Sequence, residues 1–138
     1  MSRPQKCRTV CNPPLMKGYK PFGIPLSITE TVKLSFEEYE SFRLVNYEML
    51  PQEDAALQMN VSRPTYTRIY NRALKTIALA FAEGKTIEIE GGNYTFNNDW
   101  YRCKQCYKLV KGCENHNKCE GCSHYSADEL ESLNSNNN

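Results

Sequence analysis

The 138-residue sequence has no long hydrophobic run, and this excludes a helical membrane span, which needs about 20 consecutive apolar residues. The opening residues, MSRPQKCRTV, lack the apolar core of a secretory signal, so a cytoplasmic protein with no membrane partner is expected. A glycine-rich phosphate loop is missing, as is any pair of carboxylates set for acid–base work. The only two histidines, His116 and His124, stand among cysteines, where metal ligation explains them better than a Cys–His nucleophile pair. The sequence therefore points away from an enzyme. Excess charge is missing too. Seventeen Lys and Arg against 16 Asp and Glu leave a net charge of +1, so the molecule as a whole is no polycation.

What is present is unevenly spread. Arg3, Lys6, Arg8, Lys17 and Lys20 load residues 1–30 with positive charge and no acid intervenes among them. Glu37, Glu38, Glu40, Glu48, Glu53 and Asp54 make the next region acidic, and Arg63, Arg68, Arg72 and Lys75 return it to basic. A nucleic-acid surface needs local rather than global positive charge. Pro4, Pro13, Pro14, Pro21 and Pro25 forbid a continuous helix through residues 1–30. This segment is expected to be an extended basic arm, lying along phosphates or in a minor groove, with a solvated or core-wrapping tail as the bland alternative.

A first helix is predicted from Ser35, where Ser35 and Glu38 form a capping-box pattern and Leu34 and Tyr39 a hydrophobic staple. Tyr39, Phe42 and Val45 give its core face, and its acidic residues read as a solvated face. Pro51 suits the first position of a short second helix, in which Ala55, Ala56 and Met59 allow close approach of a neighbour. Asn60 falls where a left-handed helix-ending residue is expected, Val61 plugs the turn, and Ser62 caps a third helix running to about Glu83, with Gly84 as its stop. Tyr66, Ile69, Tyr70, Ala73, Ile77 and Phe81 recur at three- and four-residue steps as a buried stripe. Thr65, Arg68, Arg72 and Lys75 recur on another face.

A short helix, a tight turn and a longer helix with a basic outer face form the pattern of a helix-turn-helix whose second helix enters the major groove. The expected DNA-contacting residues are Ser62, Arg63, Thr65, Tyr66, Arg68, Arg72 and Lys75, with arginines able to fork onto guanine and the other cations neutralising phosphates. The bland alternative for the charges alone is a solvated basic face.

Lys85 to Phe96 alternates around Gly91-Gly92 and reads as a β-hairpin covering the end of the third helix, with a dimer contact or a wing as the sharper alternatives. Beyond it, YRCKQCYKLVKGCENHNKCEGCSH contains Cys103-x-x-Cys106 and Cys119-x-x-Cys122, a spacing suited to tetrahedral zinc. Cys113, His116, His124, Cys7 and Cys11 are possible additional ligands. An iron–sulfur cluster or Cu(I) fits the same thiolates, and free or disulfide-bonded cysteines are the bland reading. So short a segment could not fold on burial alone, so a metal would supply its folding energy as a structural staple or a sensor.

The stretch Gln52-Glu53-Asp54-Ala55-Ala56, with Ser62-Arg63-Pro64-Thr65-Tyr66-Thr67-Arg68, resembles the helix-turn-helix of sigma-factor region 4. RPQKCRTVC, KPFGIPL, SFEEYESFRL and EGKTIEIEGGNY, in that order, are together similar to an uncharacterised prokaryotic family of small predicted DNA-binding proteins. The resemblance spans roughly residues 2–95. Asn60 departs from it where Gly is common, and Pro51 where a Ser cap is usual. It implies a mainly α, sigma-region-4-like, winged-helix-like domain that binds double-stranded DNA.

The expected organisation is a basic arm over 1–30, the helix-turn-helix domain with its hairpin over 31–97, a cysteine-rich metal knuckle over 98–125 and a disordered tail over 126–138. The expected function is transcriptional regulation, nucleoid-associated when bound, as a homodimer or singly. A metal- or redox-sensing protein using the same helices for protein contacts, for example with RNA polymerase, is the alternative from another class.

Overall fold

A computed structural model describes residues 8–96, 100–103, 109–111 and 130–133. Among the described residues three helices and three small sheets make a mixed α/β domain. The helices are α1 (Phe36–Asn46), α2 (Gln52–Gln58) and α3 (Arg63–Glu83). The strands are β1 (Arg8–Val10), β2 (Gly18–Tyr19), β3 (Thr31–Leu34), β4 (Thr86–Ile89), β5 (Tyr94–Phe96), β6 (Trp100–Cys103), β7 (Leu109–Lys111) and β8 (Leu130–Ser132), with a 3-10 turn at Leu26–Ile28.

The helix boundaries follow local chemistry. At α1 the Ser35 hydroxyl accepts from the Glu38 amide at 3.2 Å while the Glu38 carboxylate accepts from the Ser35 amide at 2.9 Å, a reciprocal capping box. Leu34, just before that cap, packs in one cluster with Tyr39. Gly84 ends α3 at φ 67°, with the Lys85 amide donating back to the Ala80 carbonyl. α2 begins one residue later than expected, with Pro51 as its cap.

The strands depart from the expected mainly α chain. β4 is the middle of a three-stranded sheet, antiparallel to β2 and parallel to β3, with Val32 opposite Ile87 and Leu34 opposite Ile89. β5 pairs in parallel with β1, setting Val10 opposite Phe96. So the expected hairpin across Gly91-Gly92 does not form. The Gly91 carbonyl instead accepts from the Phe36 amide, and the Asn93 amide donates to Glu37, so the turn docks on the start of α1 and sends β5 to a different partner. The N-terminal segment is likewise no free arm over its described residues. Val10 and Pro14 are fully buried, and Arg8 pairs with Glu37 at 2.6 Å, both side chains nearly buried.

Three apolar clusters hold the domain. Leu44, Ala55, Ala56, Met59 and Tyr66 join α1, α2 and α3. Leu34, Ala73 and Ile89 join α3 to the central sheet. Val10, Tyr94 and Phe96 form the third, with Phe36 and Trp100 against it. Two expectations fail here. Phe81 is not part of the buried stripe of α3 but is 90% exposed. Glu37 and Glu40 are not on a solvated face but are buried. No helix among the described residues is long and apolar enough to cross a membrane.

Candidate nucleic-acid interface

The geometry of the candidate site begins with α2. Its seven residues bury Ala55 and Ala56, whose small side chains let α3 come close. At its end Asn60 takes the left-handed conformation, φ 58°. The Val61 amide then donates to the Ala56 carbonyl at 3.0 Å and the Asn60 amide to the Leu57 carbonyl at 3.1 Å, the two bonds of a Schellman turn. The chain reverses within three residues, and Ser62 starts α3, its hydroxyl accepting from the Thr65 amide at 3.3 Å.

Side chains then fix how α3 sits. Thr67 donates to Gln52 of α2 at 3.0 Å. Asn46 of α1 donates to the Tyr70 hydroxyl at 3.1 Å. The Tyr66 hydroxyl donates to the Ser41 carbonyl at 2.5 Å from a fully buried ring stacked on Tyr70. Burial pushes that hydroxyl's pKa far above the ordinary tyrosine value. The expectation that Tyr66 contacts DNA is therefore corrected: its ring and its hydroxyl are both committed to the core.

The opposite side of the helix is open. Arg68, Arg72 and Lys75 are exposed along it with Thr65 half-buried beside them, and Arg63 is exposed at the start of the helix on another side. Arg63 lies 3.6 Å from Glu53 and Arg72 4.0 Å from Glu38, loose exposed pairs of the kind worth about 0–1 kcal/mol. Among the described residues neither Arg68 nor Lys75 has an ion pair; Arg68 donates only to the Thr65 hydroxyl, at 3.5 Å. Ser62 is exposed, with its hydroxyl spent on the cap and on Thr65. The structure thus gathers four of the seven expected residues, Thr65, Arg68, Arg72 and Lys75, on one face with Ser62 at its edge; Arg63 stands at the start of the helix on another side, beside Glu53 of α2. Sequence reasoning missed Asn71, an exposed amide three residues after Arg68 and four before Lys75. That spacing was the available signal.

Of the candidate metal ligands, Cys11 and Cys103 are among the described residues. Cys11 is half-buried; its thiol donates to Gln58 at 3.9 Å and its amide to the buried Glu40 at 2.5 Å. Burial, and then the Glu40 carboxylate, raise the thiol pKa. Among the described residues no group of His, Cys, Asp and Glu is arranged to hold a metal. Cys103 ends β6, and β6 pairs antiparallel with β7, Arg102 opposite Leu109. Cys7, Cys106, Cys113, His116, Cys119, Cys122 and His124 lie outside the described residues.

Comparison with known proteins follows the described domain closely. A UPF0251 protein of Thermoanaerobacter pseudethanolicus is 48% identical over 94 residues, covering 68% of this chain and 80% of its own length. One from Syntrophomonas wolfei is 46% identical over 105 residues, 76% of this chain and 81% of its own. One from Chloroherpeton thalassium is 34% identical over 132 residues, 94% of this chain and 87% of its own, so that similarity continues into the cysteine segment. No solved structure matches the chain. With a family model matched across residues 1–97, the chain belongs to the prokaryotic family described as protein of unknown function DUF134.

Proposed function

We propose that this protein binds double-stranded DNA as a transcriptional regulator, with α2 and α3 acting as a sigma-region-4-like helix-turn-helix and the start of α3 entering the major groove. The observation that carries this reading is the division of α3 into two sides. Tyr66, Ile69 and Ala73 are locked into the core, while Arg68, Arg72 and Lys75 stand exposed, loosely paired or unpaired with acids among the described residues. A surface of this kind can exchange weak ion pairs for phosphates and aim arginines at guanine edges.

The C-terminal cysteines fit a zinc site held by Cys103, Cys106, Cys119 and Cys122. The supporting observation is that Cys103 ends β6, which pairs antiparallel with β7. Bound zinc would supply a tetrahedral tie that folds this apolar-poor segment.

Fluorescence anisotropy with promoter-region fragments, followed by genome-wide mapping of bound sites, tests the DNA reading. Binding should weaken steeply with salt. Arg68→Ala and Arg72→Ala together should lower the salt slope by about 2 if both neutralise phosphate. For each arginine that instead forks onto a base, the substitution should cost about 1–3 kcal/mol of binding. Undiminished binding by the double variant overturns the assigned face. Tight binding to RNA polymerase with no specific DNA affinity would favour the protein-contact alternative.

A further inference from the structure

On the side of α3 away from the basic stripe, the domain holds a cavity of about 850 Å³. Ile77 of α3 and Ile89 of β4 line it from the core, and Tyr39 and Phe42 of α1 and Trp100 of β6 add three aromatic rings. Close-packed cores leave few voids larger than a water molecule, so a cleft of this size is not ordinary packing slack. Its volume lies within the roughly 300–1,000 Å³ of small-molecule sites, which are likewise lined by apolar and aromatic side chains with a few polar groups among them. Tyr19 and Tyr47 line it while staying largely exposed, so the cavity opens to solvent.

Polar groups meet on its α1 wall. Tyr39 and Arg43 are four residues apart, hence neighbours on one face of α1, and both line the cavity. Among the described residues the Tyr39 hydroxyl makes no hydrogen bond. Arg43 gives Nε to Glu40 and Nη1 to Glu48, both at 2.7 Å, and among the described residues its Nη2 has no partner. Burial raises the Tyr39 pKa while the Arg43 charge pulls against it, so the two groups lie within electrostatic reach of each other and the hydroxyl keeps its proton. Two donors therefore face a place for one acceptor. The surrounding charge restricts that acceptor. One guanidinium stands against two carboxylates, Glu40 and Glu48, so a further anion is disfavoured.

We propose that this cavity is a binding site for an uncharged aromatic carbonyl compound. The ring system packs against Phe42 and Trp100 over the aliphatic floor, and the carbonyl oxygen accepts from the Tyr39 hydroxyl and Arg43 Nη2. Aromatic walls favour a flat ring system, because paired rings gain energy beyond the area they bury. A pure hydrocarbon would strip water from both donors and offer nothing in exchange. The site stands whether or not the basic face binds DNA, since none of these residues lies on that face.

Fluorescence titration of the full chain with Prodan, an uncharged naphthalene ketone, tests the site. The wild type should bind it saturably at micromolar concentration. Tyr39→Phe should weaken Prodan about five-fold, the worth of one hydrogen bond, and leave the parent dimethylaminonaphthalene, which lacks the carbonyl, unaffected. Phe42→Leu should weaken both probes about two- to ten-fold, because a ring face is lost while an apolar side chain remains. The anionic probe anilinonaphthalenesulfonate should bind less tightly than Prodan. Far-ultraviolet circular dichroism matching the wild type shows that each variant is folded. A wild type that binds no Prodan overturns the proposal, as does binding that neither substitution alters. Equal loss of both probes in Tyr39→Phe overturns the carbonyl assignment, and tighter binding of the sulfonate overturns the uncharged class. A dimer that Prodan dissociates in sedimentation velocity overturns the proposal as well and gives the cavity to a second copy of the chain.

Discussion

Glu40 has no surface open to solvent, yet it is fully provided with partners. Its carboxylate accepts from the Cys11 amide and from Arg43 Nε at 2.7 Å, and Arg43 passes on to Glu48 at 2.7 Å. Glu37, one turn earlier, accepts from Arg8 and from the Asn93 amide. The most buried line of α1 is thus partly polar, and it fastens the N-terminal strand to the helix. Removing Glu40 strands the Cys11 amide and takes from Arg43 its buried partner, so Glu40→Ala should cost about 3–5 kcal/mol in urea unfolding. A cost typical of a surface change would mean the clamp is not formed. Tyr66→Phe should cost only about 1 kcal/mol, since one buried hydrogen bond is removed and the ring remains. On the proposed DNA-binding reading it should leave that affinity unchanged, because Tyr66 lies in the core. Burial raises the Tyr66, Tyr39 and Tyr94 hydroxyls above their ordinary value of 10.0. The unfolded chain therefore ionises first: this contribution to stability is complete below about pH 10 and is lost as pH climbs above it. Tyr66→Phe should make the alkaline loss of stability shallower.

Elements whose ends depend on neighbouring residues were legible in the sequence. The Ser35 and Ser62 caps, the left-handed Asn60 and the Gly84 stop each act over three or four residues, so their signals are local. Strand partners are not local. Gly91-Gly92 has the composition of a hairpin turn, but the amide of Phe36 and the carboxylate of Glu37 claim its neighbourhood, and β5 joins β1 from the far end of the domain. β2 was equally hidden: two residues carry no periodicity. Its place depends on Gly18, where an added Cβ would stand 1.9 Å from the Ile87 carbonyl oxygen. Gly18→Ala should destabilise by about 1–3 kcal/mol through forced displacement of β2 from β4. A neutral effect on the unfolding midpoint would show that this strand contributes little.

At the scale of the whole molecule, helices packed on sheets join a basic surface to a cysteine-bearing segment through β5 and β6. If zinc supplies the folding energy of that segment, protein purified without oxygen should be colourless and carry zinc. Stripping the metal with a chelator should then release thiols and expose the segment to protease, while residues 8–96 stay folded. Visible absorbance from bound iron and sulfur would replace zinc with a cluster.

Taken alone, the sequence determined the three helices, the turn between α2 and α3, and the basic stripe of Arg68, Arg72 and Lys75. Capping, left-handed residues and helical periodicity all act within a turn or two of chain. Tertiary structure alone decided that Glu37 and Glu40 lie inside, that Tyr66 belongs to the core, that Phe81 faces solvent, and that the N-terminal segment contributes strands to two sheets. Each of these depends on a group many residues distant: the Arg8–Glu37 and Cys11–Glu40 hydrogen bonds join positions 29 apart. A side chain's neighbours across the fold leave no periodic trace in the chain that carries it.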